Sequence, residues 1–166
     1  MHFEDVKVVI DWERVEGWNP GLHDRKPFFS ADPEGFFKVT RNGDHAGFIS
    51  AVAYDDNFGF IGLYIVKPEL RGHRVGLDIG ECALDYLWGR NIGVEALENK
   101  VSNYEVFGFK PHCRTVRYEG VVSGEKRADM QNLKDVDFEL LEAYDSQCFP
   151  AYRTAFLKQW ISLNLR

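Results

Sequence analysis

The chain has 166 residues, 45% of them hydrophobic and 28% charged, enough for one ordinary globular domain and too little for two. The 20 Lys and Arg against 26 Asp and Glu leave a net charge of −6, which argues against nucleic-acid or membrane-surface binding. No apolar run is long enough to span a bilayer, and Met1-His2-Phe3-Glu4-Asp5 does not read as a secretory leader.

Val6, Val9 and Ile10 recur at helical spacing and predict an amphipathic helix over Glu4–Glu16. Gly17-Trp18-Asn19-Pro20-Gly21 stops it, and Asp24–Ala31 predicts a short second helix closed by Asp32-Pro33. Phe36–Arg41 and His45–Tyr54 flank Asn42-Gly43, a strong hairpin signal. A third strand, Phe58–Val66, follows the turn at Asp55-Asp56-Asn57, giving an antiparallel meander.

Beyond Lys67-Pro68 a glycine-spotted basic loop leads into a helix over Val75–Gly89. Its expected inner face is Val75, Ile79, Cys82, Ala83, Tyr86 and Leu87. Gly89 and Gly93 bracket an expected turn, Val94–Leu97 a short strand, and Lys100–Phe107 a short helix ended by Gly108. Phe109–Val122 reads as one extended segment, and the polar stretch 123–131 as a linker. Phe138–Tyr144 and Tyr152–Leu163 predict helices around Cys148-Phe149-Pro150. Their apolar residues, among them Leu140, Phe149, Phe156 and Trp160, must dock on the first part, pair with another chain, or await further residues.

The chemistry lies in Tyr64-Ile65-Val66-Lys67-Pro68 and the loop Arg71-Gly72-His73-Arg74-Val75-Gly76. A strand feeding a loop that opens a helix leaves backbone N–H groups unpaired at the positive end of the helix dipole. Glycines admit a bulky anion to that backbone, and Lys67, Arg71 and Arg74 form a basic island in an acidic protein. The loop lacks the Gly-Lys-Ser/Thr ending of a nucleoside-triphosphate site and the Gly-x-Gly-x-x-Gly of a dinucleotide site. On its own it is also compatible with glycines that only permit close packing.

Tyr104-Glu105-Val106-Phe107-Gly108-Phe109 is the second element. With Val66-Lys67-Pro68 and Arg71…Gly76 before it, the sequence resembles the GNAT family of acyl-CoA-dependent N-acetyltransferases. The resemblance is firm over about residues 4–122 and loose beyond. It implies an α+β (mixed α/β) fold with a mostly antiparallel central sheet, flanking helices and a helical C-terminal extension. It also implies a domain over 1–122, a linker over 123–131, and a tail over 132–166 like the start of a second domain in tandem members.

The implied activity is transfer of acetyl from acetyl-CoA to an amine, small or lysine-like, in a ternary complex without a metal. Tyr64, Ile65, Val66, Phe107 and the loop Arg71, Gly72, His73, Arg74, Val75 and Gly76 would bind acetyl-CoA. Tyr104 would be the general acid, its bland alternative being a half-buried tyrosine packed on Phe107. Trp18 and Asn19 would face the acceptor, although a loop aromatic also serves to cap a core. Asp55, Asp56 and Glu69 are base candidates by position, and a water relay needs none of them.

Three departures from the family pattern stand out. Arg74 occupies a position that is usually Gly, the usual first strand is absent or very short, and the tail stops short of a second domain. They support an alternative, a catalytically silent acyl-CoA-binding or regulatory module, and the tail suggests a homodimer contact. Cys82, Cys113 and Cys148 form neither a disulfide framework nor a zinc pattern, and suggest a reducing, cytoplasmic setting. Cys82 is expected to face inward as a small hydrophobe.

Overall fold

A computed structural model describes residues 1–121, 123–124 and 129–163. Helix α1 (Phe3–Val15) turns Val6, Val9 and Ile10 inward. Its start is fixed by the His2 amide donating to Asp5 Oδ2 at 2.9 Å, and Glu4 and Asp5 suit the positive end of the dipole. Gly17, at φ +77°, turns the chain out of it. Helix α2 (Arg25–Ala31) leads to strands β1 (Phe36–Arg41), β2 (Asp44–Ala53) and β3 (Phe58–Val66). Asn42 and Gly43 both take positive φ, as a tight hairpin between twisted strands requires.

Helix α3 (Val75–Tyr86) crosses back to β4 (Asn91–Val94), so the sheet runs β1-β2-β3-β4 with only the last pair parallel. The α+β fold class expected from the sequence is therefore observed. No strand precedes α1 among the described residues; β1 is an edge, where the Met1 amino group donates to the Phe36 carbonyl at 2.9 Å.

The central strand β2 is buried from Ala46 to Val52 because both faces are covered. On one face Ile49, Ala51 and Ile61 pack against Ile79, Ala83 and Leu87 of and just beyond α3. On the other, Phe36, Phe48, Val52 and Ile65 pack against Val6, Val9 and Ile10 of α1.

Several expectations need correction. The strand expected at Val94–Leu97 lies at Asn91–Val94. Gly89 does turn, at φ +84°, but Gly93 is a strand residue. A Cβ on Gly93 would stand 2.7 Å from the Phe60 ring, so it is glycine to let the aromatic rings lie across it. Residues 109–121, expected to be extended, form no ladder with the sheet; Val122 lies outside the described residues. They are held instead by side chains, Arg114 to Glu98 and Thr115 to Glu95. Cys82 is exposed, because the inner stripe of α3 is Ile79, Ala83 and Leu87, and Cys82 lies about 100° round the helix from Ala83.

The tail helices α5 (Phe138–Asp145) and α6 (Thr154–Ser162) follow α4 (Val101–Glu105). Of the fates open to the tail, docking on the first part is the one observed. Phe156 meets Phe28 of α2 at 5.1 Å between centroids, and Phe149 meets Tyr54 and Phe58 at 4.9 and 5.5 Å. Arg153 lies over the rings of Phe149 and Phe156 while donating twice to Asp145, each at 2.7 Å. A guanidinium held by a fork of hydrogen bonds and two aromatic faces is well ordered.

Candidate active site

Strand β3 changes character along its length. From Gly59 to Ile61 it pairs with β2 on one edge and β4 on the other. From Gly62 onward no described strand covers the β4 edge. Its register against β2 slips between Phe48 and Ser50, where Leu63 takes φ +48°. A leucine in left-handed backbone costs about 1–2 kcal/mol and marks a β-bulge. The sequence carries no sign of it, since glycine is the residue that announces such a conformation.

Past the bulge, strand alternation decides which amides are open. Lys67 donates its N–H to the Ala46 carbonyl at 3.0 Å, so the amide of Val66 faces the uncovered edge, as does that of Tyr64. The Ile65 carbonyl faces Gly47 of β2, which turns the Ile65 amide inward and away from that edge. Ile65 contributes its side chain, buried against Phe48 and Val9.

The loop beyond β3 is lined with backbone donors. Gly72 takes φ +80° and Arg74, the residue before α3, takes φ +62°. The amides of Gly72, His73, Arg74, Gly76 and Leu77 have no acceptor among the described residues, whereas Val75 donates to the His73 carbonyl at 2.8 Å. Gly76 packs directly under Tyr64: the Tyr64 hydroxyl donates to the Gly76 carbonyl at 2.6 Å. A Cβ on Gly76 would lie 2.8 Å from that hydroxyl, so a side chain there would displace the tyrosine from this contact.

The basic island is already engaged within the chain. Arg71 donates to the Val66 carbonyl at 2.9 Å and to Glu16 at 2.5 Å, tying the end of α1 to the end of β3. Arg74 pairs with Asp78 at 2.9 Å and Glu81 at 3.4 Å, which holds its guanidinium above its ordinary pKa. Lys67 lies 5.9 Å from the Trp12 ring centroid. Unpaired amides, more than free cations, are what this loop presents.

Tyr104, on α4, is half-buried with its ring edge-on to Phe109 at 5.8 Å, in place of the expected partner Phe107, which is exposed. Its hydroxyl makes no hydrogen bond among the described residues. Burial raises its pKa, and Tyr64 is pushed up to about 12 by burial and then by the neighbouring Tyr104. Both phenols therefore keep their protons at neutral pH.

Trp18 packs on the cluster of Val9, Phe48 and Ile65, and Asn19 is exposed at φ +50°. Arg117 donates to both of their carbonyls, at 3.3 and 3.1 Å, so the segment after Phe109 holds this loop in place. Asp55 and Asp56 lie in the β2–β3 turn, at the far end of β3 from Val66. The Asp55 carboxylate is occupied with the amides of Asn57 and Phe58, and Glu69 is exposed. No group of His, Cys, Asp or Glu among the described residues is arranged to hold a metal.

Comparison with known proteins agrees with this geometry. The chain is 30% identical over 161 residues to the holothin acyltransferase of Pseudoalteromonas sp. (strain SANK 73390), covering 96% of this chain and 55% of that one. A Pyrococcus horikoshii chain assigned as an acetyltransferase superposes with a TM-score of 0.81 at 17% identity, over 97% of this chain and 59% of that one. Glucosamine-6-phosphate N-acetyltransferase from Arabidopsis thaliana gives a TM-score of 0.54 at 13% identity, over 72% of this chain and 94% of its own. The chain thus spans little more than half the length of the first two relatives. The family model for the acetyltransferase (GNAT) family matches residues 4–109, which include the bulged strand, the amide-lined loop and Tyr104, and the chain belongs to that family of acyltransferases.

Proposed function

We propose that the chain is an N-acetyltransferase that moves an acetyl group from acetyl-CoA to a primary amine, small or lysine-like, by direct transfer in a ternary complex. One observation carries this reading. The uncovered end of β3 runs straight into a loop of unpaired amides, and Tyr104 neighbours Tyr64 beside it. The Val66 amide would hold the acyl carbonyl and steady the oxyanion of the tetrahedral adduct. The amides of Gly72, His73, Arg74, Gly76 and Leu77 would receive the diphosphate, with Arg71 nearby. As the adduct collapses and the C–S bond breaks, Tyr104 gives its proton to the departing sulfur. Trp18 and Asn19 would border the acceptor.

The test is a thermal melt with and without acetyl-CoA, joined to thiol release across a panel of primary amines. A ligand of the native state at about a hundred times its Kd stabilises by about 2.7 kcal/mol, so a rise in Tm of several degrees is expected. Thiol release that depends on an amine completes the assignment, and a melt unmoved by acetyl-CoA removes it. Arg74, which takes φ +62° where the family usually has glycine, favours a second reading as a silent acyl-CoA-binding module. That reading expects the melt to shift and no amine to release thiol.

We further assign residues 1–122 to the transferase domain, 123–131 to the linker and 132–166 to the start of a second GNAT-like unit, in keeping with the greater length of the relatives. The exposed Leu140 and Tyr144 of α5 are where a second copy would pair. No helix among the described residues is long and apolar enough to cross a membrane, and a cytoplasmic site of action is proposed.

A further inference from the structure

We infer that Glu13, on α1, is the base that takes the proton from the attacking amine nitrogen; the inference rests on the transferase reading above. Glu13 is only 7% exposed; its carboxyl has no hydrogen-bond or ion-pair partner among the described residues, and its oxygens keep some access to solvent, unlike the sealed His45 Nδ1 and Gln159 Oε1. Buried carboxyls are nearly always paired, so an unpaired one calls for an explanation.

Its place in the fold supplies one. A helical turn earlier, Val9 packs on Ile65 of β3. Three residues later, Glu16 receives Arg71, which itself donates to the Val66 carbonyl. Glu13 is thus held between two contacts to the open end of β3, on the face of the sheet opposite α3. The loop that borders the acceptor begins from the same turn, with the Trp18 amide donating to the Glu13 carbonyl at 3.0 Å.

The charged groups that face Glu13 are Asp24, from the end of that loop, and Arg14 beside it on α1. Burial first, and then Asp24, raises its pKa to about 7, against a smaller opposing pull from Arg14. A base with that pKa is about half ionised at neutral pH, where it is most effective.

The proton inventory closes without a further reactant. The nitrogen lone pair forms the C–N bond, the nitrogen proton passes to the Glu13 carboxylate, the C–S electrons leave with sulfur, and Tyr104 protonates the thiolate. Glu13 and Tyr104 then exchange protons with solvent.

The experiment uses acetyl-CoA alone and acetyl-CoA with the best amine of the panel, measuring thiol release from pH 5.5 to 9 for the parent chain and Glu13→Gln. Slow hydrolysis needs no acceptor, because water replaces the amine. We expect Glu13→Gln to bind acetyl-CoA as the parent does, by melt, and to release thiol about a hundredfold more slowly. The fall in rate below about pH 7 should be present in the parent and absent in the variant. Undiminished rates in Glu13→Gln, or loss of acetyl-CoA binding by it, overturn the inference. So does a parent profile with no fall on the acid side, a measurement that needs no variant. A parent that binds acetyl-CoA but releases no thiol overturns both this role and the transferase reading, while a parent that binds none removes the acetyl-CoA site itself.

Discussion

The two ends of β3 belong to one nine-residue strand and do opposite work. In its first half Gly59, Phe60 and Ile61 are paired on both edges and closed over by the buried side chain of Leu87, whose methyl would lie 2.5 Å from a Cβ on Gly59. Its last five residues have one bare edge, a leucine in left-handed backbone, a tyrosine bonded to the next helix and a buried acid nearby. Pairing satisfies backbone groups and leaves nothing for a ligand; interrupting the ladder leaves donors that a ligand can use. The proposed site thus lies where sheet formation is incomplete, and the closed end holds the open end in shape.

Substitutions at the two ends should therefore separate activity from stability. The largest effect is expected for Tyr104→Phe. Removing the hydroxyl should lower kcat for thiol release by about 10²–10⁴. The Tm should scarcely move, since that hydroxyl bonds to no described residue. At the closed end Leu87→Ala should do the reverse. A fully buried leucine truncated to alanine costs about 2–5 kcal/mol, which for a chain of this size lowers Tm by roughly 5–15 °C. Turnover per folded molecule should be unchanged, as read by denaturant melts and by active-fraction titration. Equal losses of both quantities in either variant would mean that the two ends are not separable.

Most of the closed end is legible in the sequence, because alternating apolar residues, Asn42-Gly43 and the stripe of α3 all report local geometry. Gly93 misleads because a glycine under an aromatic ring and a glycine in a turn are the same letter. The stretch 109–121, read as extended, joins no ladder for a related reason. Its residues have strand-like composition, but pairing requires a free edge, and that segment is fixed by Arg114, Thr115 and Arg117 to other loops. Of the open end, the loop and Tyr104 are legible through motif spacing. Leu63 is not, since its backbone follows from register with β2. Glu13 leaves one faint trace, an acid at the next inward position of the Val6–Val9–Ile10 stripe, and only the fold shows that it is buried and unpaired.

That acid makes a third prediction, smaller and dependent on pH. With an ordinary value of 4.5 and a folded value near 7, the Glu13 carboxyl binds its proton more tightly in the folded chain. The folded state therefore holds more protons than the unfolded state between those values, and stability falls as pH rises through that window. Glu13→Gln removes the ionisation. It should match the parent near pH 5 and exceed it at pH 8 by on the order of 2 kcal/mol, while turning over more slowly. Urea melts at the two pH values check this. A variant less stable than the parent at pH 8 would mean that the carboxylate has a structural partner.

The smallest expected effect concerns Arg74. Its φ of +62° suits glycine, so Arg74→Gly relieves backbone strain at the start of α3. What it loses are ion pairs to Asp78 and Glu81 in which all three side chains are exposed, and such pairs contribute little. The melt should rise by a degree or two at most. If backbone amides carry the diphosphate, acetyl-CoA affinity should change by no more than about threefold, because the Arg74 amide survives the substitution and the guanidinium is already neutralised by two carboxylates. Calorimetric titration decides between the two sources of affinity. A tenfold weakening, about 1.4 kcal/mol, would assign the phosphate contact to the side chain and give the open end a cation of its own. A tenfold tightening would instead make Arg74 an obstacle at the mouth of the loop, the outcome expected of a chain that binds acyl-CoA but has moved away from turnover.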